Sequence, residues 1–321
     1  MTGSVSSPWK RLLAQPGPDD HVVQLYQDEG FFGDAVSHFA ASGLAQGDAV
    51  ILVATGAHWE LLADCLSGKG FDVVALRRHG QLLLLDADAT LPTFLVESLP
   101  DAPTFKALAR ATITQARVGS RSGRIRWWGE MVNVLFVNGN GRGSTLLEQL
   151  FDEVAHEEAI AIFCSFLMDS FDPQMYAGPL QDVCGTHAYL IPVANDAHQT
   201  ACVHRALCDV FGTVEGLLLE TLESATEWQG TRMPPAQALL LWLQGALPTV
   251  GALVLDRARH YAHDAVGQDM LLRMAEHRVR KLYVVYEGVE AAPLDAEILH
   301  ETADLQDALA YARAHGRTVY A

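Results

Sequence analysis

The chain has 321 residues, of which 50% are hydrophobic and 19% are charged. These fractions are typical of folded globular proteins, and the length suits about two domains. The net charge of −17 disfavours direct binding to DNA or to anionic membrane surfaces, because both repel an acidic protein. Its five cysteines are scattered, and we find no signal-peptide or membrane-spanning run. We therefore expect a cytoplasmic protein with reduced thiols.

The segment from His21 onward alternates short apolar runs with stretches of helical periodicity. The runs AVILVA (49–54) and LLLLD (82–86) are apolar at nearly every position, as in strands buried on both faces of a parallel sheet. Apolar residues at helical spacing between Phe32 and Ala40 predict an amphipathic helix on that sheet. The pattern predicts an α/β domain over residues 20–195, after a flexible terminus at 1–19.

Further elements of this domain follow in order. We predict helices over 91–98, 104–116 and 145–156, and strands over 124–128, 159–164 and 188–193. A strand that ends at Asn138 is also predicted. It is followed by a Gly-rich loop at 138–144, where Arg142 is exposed and is a candidate anion contact.

The rest of the chain divides into a helical linker and a smaller module. Residues 196–231 have helical periodicity without strand-like runs, which predicts linking helices. Residues 232–321 repeat the α/β pattern. The predicted helices there are 234–247, 264–277 and 305–315, and the predicted strands are 251–256 and 281–287.

The first domain contains a series of segments in a fixed order: HVVQLYQDEGFF, GLAQGDAVILVAT, GFDV with GQLLLLDADATL, and RWWGEMVNVLFVNGN before an LLEQL helix. In content and order they resemble the MEDS family, named for a methanogen/methylotroph DcmR-type sensory domain. The resemblance implies a mostly parallel RecA-like fold, degenerate relative to the KaiC ATPases. It also implies a sensory protein that binds a small organic ligand.

The phosphate loop of such ATPases has lost its chemistry here. A working loop needs backbone N–H groups, a Lys and a hydroxyl around the phosphates and Mg²⁺. The corresponding stretch, residues 26–34, has no Lys and contains three acids, Asp28, Glu29 and Asp34. We therefore expect no catalytic activity and no cofactor.

A crevice at the strand ends is the expected ligand site, because open parallel sheets bind ligands at the carboxyl ends of their strands. The residues predicted to line it are Tyr26, Glu29, Phe31, Trp128 and Glu130, with Ser165 as a further candidate. We expect Tyr26 and Glu130 to be the polar contacts of a largely apolar ligand. Alternative roles are core packing for Phe31 and an interaction with the helix dipole for Glu29.

In the second module Asp264, Ala265 and Gly267 stand at the predicted start of a helix, after the segment LVLDRARHYAH. This pattern resembles the Asp-Ser-x-Gly helix start of STAS domains, the fold of anti-sigma factor antagonists. By that resemblance the three residues are the predicted partner-binding residues. Because Ala265 replaces the phosphorylated Ser, phosphorylation cannot act as a switch at this position. The resemblance implies a regulatory partner protein, such as an anti-sigma factor or a sensor kinase.

Two other functions stay open at this stage. The first is a metal-binding regulator, because four possible ligands lie close in sequence: Cys184, His187, His198 and Cys202. His204 and Cys208 would share a different helix face. We favour no metal at these residues. The second is a scaffold that binds proteins without any small ligand.

Overall fold

The structure, a computed structural model, describes residues 8–176, 178–211, 227–228, 230–263, 283–286, 298–302 and 318–320. The chain divides into two compact units. One consists of residues 1–194 with 222–246, and the other of residues 195–221 with 247–321. Within the described ranges, no helix has both the length and the apolar character needed to cross a membrane.

The first unit contains a large sheet and a small hairpin. The strands are β1 (His21–Tyr26), β2 (Ala49–Ala54), β3 (Leu82–Asp86), β4 (Leu95–Val96), β5 (Leu99–Pro100), β6 (Ile125–Gly129), β7 (Ala161–Leu167), β8 (Tyr189–Ile191), β9 (Glu227–Trp228) and β10 (Thr231–Arg232). The eight-stranded sheet has the order β3-β2-β6-β7-β1-β8-β10-β9, and only its β9–β10 pairing is antiparallel. The predicted α/β class with a mostly parallel sheet is confirmed.

Several of the helices begin at a residue whose side chain caps the helix. The helices are α1 (Pro8–Ala14), α2 (Glu29–Gln46), α3 (Gly56–Gly68), α4 (Val73–Arg78), α5 (Ala87–Thr90), α6 (Ala102–Gly119), α7 (Met131–Val137), α8 (Gly141–Glu158), α9 (Pro173–Tyr176), α10 (Pro179–Cys184), α11 (Asp196–Phe211), α12 (Pro235–Ala246) and α13 (Pro248–His263). The side chains of Asp28, Asp101 and Asn140 each accept a hydrogen bond from the backbone N–H three residues later. This bond satisfies one of the N–H groups that a helix start leaves without a partner.

The sheet is covered on both faces. On one face Phe39 of α2 packs on Phe163 of β7, with ring centroids 5.4 Å apart. On the other face Phe151 of α8 packs on Trp127 of β6, at 5.8 Å. Trp128, the next residue, therefore points towards the α2 face, since successive side chains of a strand alternate.

A buried ion pair connects β6 to the helices above it. Arg126 and Asp48 are each 1% exposed, and Arg126 Nε lies 2.7 Å from Asp48 Oδ2. The other guanidinium nitrogens donate to the backbone carbonyls of Leu13, Ala14 and Phe39. One side chain thus holds α1, α2 and β6 together.

Several predictions within this unit are wrong. The predicted helix over 91–98 is a 3₁₀ helix at Leu91–Phe94 followed by the β4–β5 hairpin. Glu97 and Ser98 form its turn with φ of 50° and 67°, which a helix does not allow. The predicted strand that ends at Asn138 is the helix α7. Its apolar run was too short to distinguish a strand from a buried helix by periodicity.

The second unit has helices α11 and α13 and the strands β11 (Tyr283–Tyr286), β12 (Ile298–Thr302) and β13 (Thr318–Tyr320). These strands form a three-stranded antiparallel sheet in the order β12-β11-β13. The strand predicted at 281–287 is confirmed as β11. The strand predicted at 251–256 is wrong, because this segment lies in α13. Its buried residues follow helical spacing: Val254, Leu255, Ala258 and Tyr261.

The STAS-like character of the second module stays a prediction. Asp264, Ala265 and Gly267 lie outside the described residues, as do the helices predicted at 264–277 and 305–315. Residues 222–246, which the sequence divided between the linker and this module, group with the first unit. The physical reason is that β10 extends the large sheet, where Arg232 N donates to Ala188 O at 2.9 Å.

Candidate functional site

The carboxyl ends of β1, β2 and β6 bring a group of polar side chains together. Tyr26 is the last residue of β1, Thr55 follows β2, and Glu130 follows β6. Parallel strands all end at one edge of their sheet, which is where ligands of such folds bind. We call this group the carboxyl-end site. Its members are Tyr26, Glu29, Phe32, His58 and Glu130.

Glu130 is only 2% exposed and its carboxylate is used inside the protein. Oε1 accepts a hydrogen bond from the backbone N–H of Thr55. Oε2 lies 2.5 Å from Nδ1 of His58. Sequence reasoning assigned Glu130 to direct ligand contact, whereas in the structure both oxygens already have protein partners. Glu130 instead fixes the start of α3 and the orientation of the imidazole.

His58 links the buried carboxylate to the surface. Its Nε2 lies 3.3 Å from Oε2 of Glu29, whose side chain is 60% exposed, while that of His58 is 17% exposed. The hydrogen bond that His58 donates to Glu130 raises the pKa of His58, burial opposes this effect, and the charges of Glu130 and Glu29 add to it. The helix dipole disfavours a positive charge on His58, because this residue lies in the first turn of α3. Glu130 and Glu29 are therefore the groups that favour the protonated form of His58.

Sequence reasoning missed His58. It follows β2 by four residues and stands in the first turn of α3, but no recognisable motif marks it. The usable signal was its position, because the residues that follow a buried parallel strand lie at the ligand-binding edge of the sheet.

Aromatic rings pack beside this histidine. The Phe32 ring centroid lies 4.4 Å from that of His58, 4.6 Å from that of Tyr26 and 5.6 Å from that of Trp128. The predicted wall residue Phe31 points elsewhere, since its ring packs on Trp9 of α1 at 5.7 Å. Burial raises the pKa of the Tyr26 hydroxyl, and the charges of the neighbouring acids raise it further. The hydroxyl is therefore a neutral hydrogen-bonding group at physiological pH.

Trp128 and Ser165 belong to an internal hydrogen-bond chain behind the site. Trp128 Nε1 donates to Ser165 Oγ at 3.0 Å, and Ser165 donates to Gln24 Oε1 at 3.3 Å. The Gln24 amide donates in turn to the carbonyl of Phe31 at 3.4 Å. Trp128 and Ser165 are 0% and 1% exposed. They support the aromatic layer and present no polar group to solvent.

A second polar group lies on the opposite face of the sheet. Its members, which we call the buried cluster, are His21, Glu148, Cys164 and His187. Every one of them is at most 4% exposed. They come from the start of β1, from α8, from β7 and from the turn before β8.

The two histidines of the buried cluster differ in charge. Burial opposes a charge on His21, but Asp152 and Glu148 outweigh this effect and raise its pKa to about 9. For His187, burial and the neighbouring charge of His21 lower the pKa to about 4. His21 therefore carries the positive charge, and His187 is neutral.

The other candidates from the sequence are dispersed. Cys184 and His187 belong to the first unit, and His198 and Cys202 to the second. His198 Nε2 lies 3.6 Å from Cys202 Sγ within α11, as the i, i+4 spacing predicts. The segment around Arg142, predicted as a loop, is the first turn of α8, and Arg142 is exposed there.

Residues 20–188 match the model of the MEthanogen/methylotroph, DcmR Sensory domain, abbreviated MEDS. The match covers more than half of the chain. The chain belongs to the MEDS family. No curated protein matches it significantly. The matched range of the MEDS domain contains the whole carboxyl-end site and the whole buried cluster. Its family description indicates a sensory or regulatory role.

The pH dependence of stability tests the pairing of His58. Its pKa is raised on folding, so its contribution is fully present below the unfolded value, about 6.5, and is lost as pH rises through the folded value. We expect the melting temperature of the parent to exceed that of His58→Gln most near pH 6. The difference should shrink as pH approaches 9. Thermal melts between those limits measure it, and a difference that grows with pH would contradict the pairing with Glu130 and Glu29.

Proposed function

We propose that this protein is a non-catalytic sensor whose MEDS domain binds a small, largely apolar organic ligand at the carboxyl-end site. The observation that carries the proposal is the chain from Glu29 through His58 to Glu130, which runs from an exposed carboxylate to a buried one. The buried Glu130 orients the imidazole of His58, and the second ring nitrogen of His58 faces the exposed side chain of Glu29. This second nitrogen is suited to bind a polar group of a ligand. The surrounding aromatic rings suit an apolar body.

Displacement of the Glu29 carboxylate from His58 would allow the ligand to bind in its place. Glu29 is 60% exposed, and an ion pair at such a position contributes only about 0–1 kcal/mol. A ligand carbonyl or hydroxyl can therefore replace Glu29 as the acceptor for the N–H of His58. Because Glu29 is the first residue of α2, this exchange also releases the start of that helix. The exchange thus provides a route from ligand binding to a conformational signal.

The start of α2 supports a non-catalytic role. In a phosphate loop the backbone N–H groups at this position bind the phosphates. Here Asp28 Oδ1 already accepts a hydrogen bond from Phe31 N at 2.6 Å. A carboxylate in that place repels a triphosphate as well as occupying a donor. This chemistry favours the degenerate RecA-like relationship implied by the sequence resemblance.

The signal would pass to a regulatory protein, such as an anti-sigma factor or a sensor kinase. This part of the proposal rests on the resemblance of residues 232–321 to a STAS domain. The contact residues proposed there are Asp264, Ala265 and Gly267. With Ala265 in place of the phosphorylated Ser, partner binding would depend on the ligand and not on a kinase acting at that residue.

A scaffold without a ligand is the second candidate. It is favoured by the finding that both oxygens of Glu130 are satisfied inside the protein. In that case the Glu29–His58–Glu130 chain would serve stability alone.

Ligand-linked stabilisation separates the two candidates. Native mass spectrometry of gently purified protein would identify retained small molecules, which then join a panel of apolar organic compounds in thermal melts. A ligand at a hundred times its Kd should stabilise the parent by about 2.7 kcal/mol. We expect His58→Ala to weaken binding at least tenfold, while His79→Ala, which changes an exposed histidine of the same unit, leaves it unchanged.

Two outcomes would overturn this proposal. Magnesium-dependent stabilisation by ATP, or its hydrolysis, would contradict the non-catalytic role. Protein that retains no small molecule and responds to none of the panel would favour the scaffold. Melting His58→Ala without ligand gives the baseline, so that a loss of fold is not mistaken for a loss of affinity.

A further inference from the structure

The buried cluster brings together side chains that are all ligands of borderline metal ions. It offers two imidazoles, one thiol and one carboxylate, and its four possible ligand atoms lie within 4.8 Å of one another. Sequence reasoning did not assemble it, because its members come from four separate segments. Cys₂His₂ and related sets of four with these atom types bind Zn²⁺ in proteins.

The distances within the buried cluster approach those of a tetrahedral site. Glu148 Oε2 lies 3.2 Å from His21 Nε2 and 3.4 Å from His187 Nε2. Cys164 Sγ lies 3.4 Å from each of Glu148 Oε2 and His21 Nε2. Zinc bonds of usual length place neighbouring ligand atoms about 3.3–3.6 Å apart. Three of these four separations fall within that range, and the fourth, 3.2 Å, lies just below it.

Both histidines are oriented as metal ligands usually are. His21 Nδ1 lies 2.9 Å from the carbonyl of Thr186, and His187 Nδ1 lies 2.6 Å from that of Val183. Each Nδ1–H thus donates to a backbone carbonyl, which leaves Nε2 to face the centre of the cluster. Donation of the second ring N–H to a carbonyl or carboxylate is the common support of a metal-bound histidine.

Hydrogen bonding inside the protein does not account for all of these atoms. His187 Nε2 and Glu148 Oε1 are buried and have no hydrogen-bond partner among the described residues. An ion pair between His21 and Glu148 uses one proton and satisfies Glu148 Oε2, but it leaves the lone pair of His187 Nε2 facing a carboxylate. Buried polar atoms without a partner are costly, so an unexplained one indicates a missing ligand.

We propose that the buried cluster is a binding site for one Zn²⁺ ion. With a thiolate and a carboxylate as ligands, the site is electrically neutral, which a buried position requires. Four protein ligands leave no open position, so the ion is structural and not catalytic. It joins β1, β7, α8 and the turn before β8, on the sheet face opposite α2. The site is independent of the ligand proposed for the carboxyl-end site.

Metal content and cobalt spectroscopy test this site on the full chain, purified without chelators and also refolded with excess Zn²⁺ or Co²⁺. We expect about one zinc per chain, and a thiolate-to-cobalt charge-transfer band after cobalt loading. Cys164→Ala and His187→Gln should each lower the zinc content at least tenfold. The matched control is Cys184→Ala, which removes another fully buried thiol of the same unit and should keep both the zinc and the band.

Three results would overturn the proposal. The first is that the parent protein binds no metal after refolding with excess Zn²⁺ or Co²⁺, and that its melting temperature is the same with and without the ion. Another is zinc retained by Cys164→Ala but lost from Cys184→Ala, which would point to the set that includes Cys184. The last is a cobalt complex of the parent without a thiolate band. If Cys164→Ala does not fold, the zinc content of Cys164→Ser and the presence of the thiolate-to-cobalt band in the parent protein test the proposal in its place.

Discussion

Asp48→Ala is expected to lower the free energy of unfolding by about 3–5 kcal/mol, the usual cost of removing one partner from a buried ion pair. Asp48 and Arg126 are each 1% exposed, so the substitution leaves a guanidinium charge in the interior. Burial lowers the pKa of Arg126, but a guanidinium does not lose its proton at physiological pH. Its three carbonyl partners satisfy hydrogen bonds without cancelling the charge.

The packing around Arg126 prevents it from moving towards water. A Cβ added at Gly43 would lie only 2.6 Å from Arg126 Cδ, which shows how closely α2 covers this side chain. Urea denaturation of Asp48→Ala beside Asp64→Ala, an exposed aspartate of α3, measures the effect. The double variant Asp48→Ala/Arg126→Leu should recover part of the loss, because it removes the unpaired charge. A loss below about 1 kcal/mol in Asp48→Ala would mean that the pair is hydrated.

Glu130→Gln is expected to cost about 1.5–3 kcal/mol of stability, the usual range for hydrogen bonds to a charged group. The two partners of the carboxylate, the backbone N–H of Thr55 and Nδ1–H of His58, are both donors. A glutamine amide has only one acceptor to offer them. Its NH₂ group must then face a donor, unless His58 gives up its proton. Either outcome removes the charge pairing that raises the pKa of His58.

The matched control is Glu29→Gln, which changes the exposed partner of the same histidine. It should cost less than about 0.5 kcal/mol, because exposed ion pairs contribute little. Chemical denaturation of both variants without ligand gives the comparison. Equal stability of Glu130→Gln and the parent, together with lost ligand binding, would instead restore the direct contact that the sequence suggested for Glu130.

Local sequence was sufficient for the class of the fold. The fully apolar run 49–54 forms a strand that is buried along its whole length, as predicted. The run 82–86 forms the edge strand β3, which is only partly buried, and the two strands are parallel in the structure. The lack of a Lys between Tyr26 and Asp34 predicts the absence of phosphate-loop chemistry without knowledge of any contact. Where local pattern was ambiguous, as at 251–256, the prediction of a strand was wrong.

The sequence by itself determined the α/β class and the MEDS resemblance, and it predicts the loss of phosphate-loop chemistry, because each of these depends on neighbours along the chain. Only the tertiary structure decided which side chains meet. His58 and Glu130 are 72 residues apart in the chain, yet they pair because β2 and β6 are neighbours in the sheet. The buried cluster forms because β1, β7 and α8 pack together. Strand order and helix packing are set by burial across the whole domain, which periodicity in one segment does not encode.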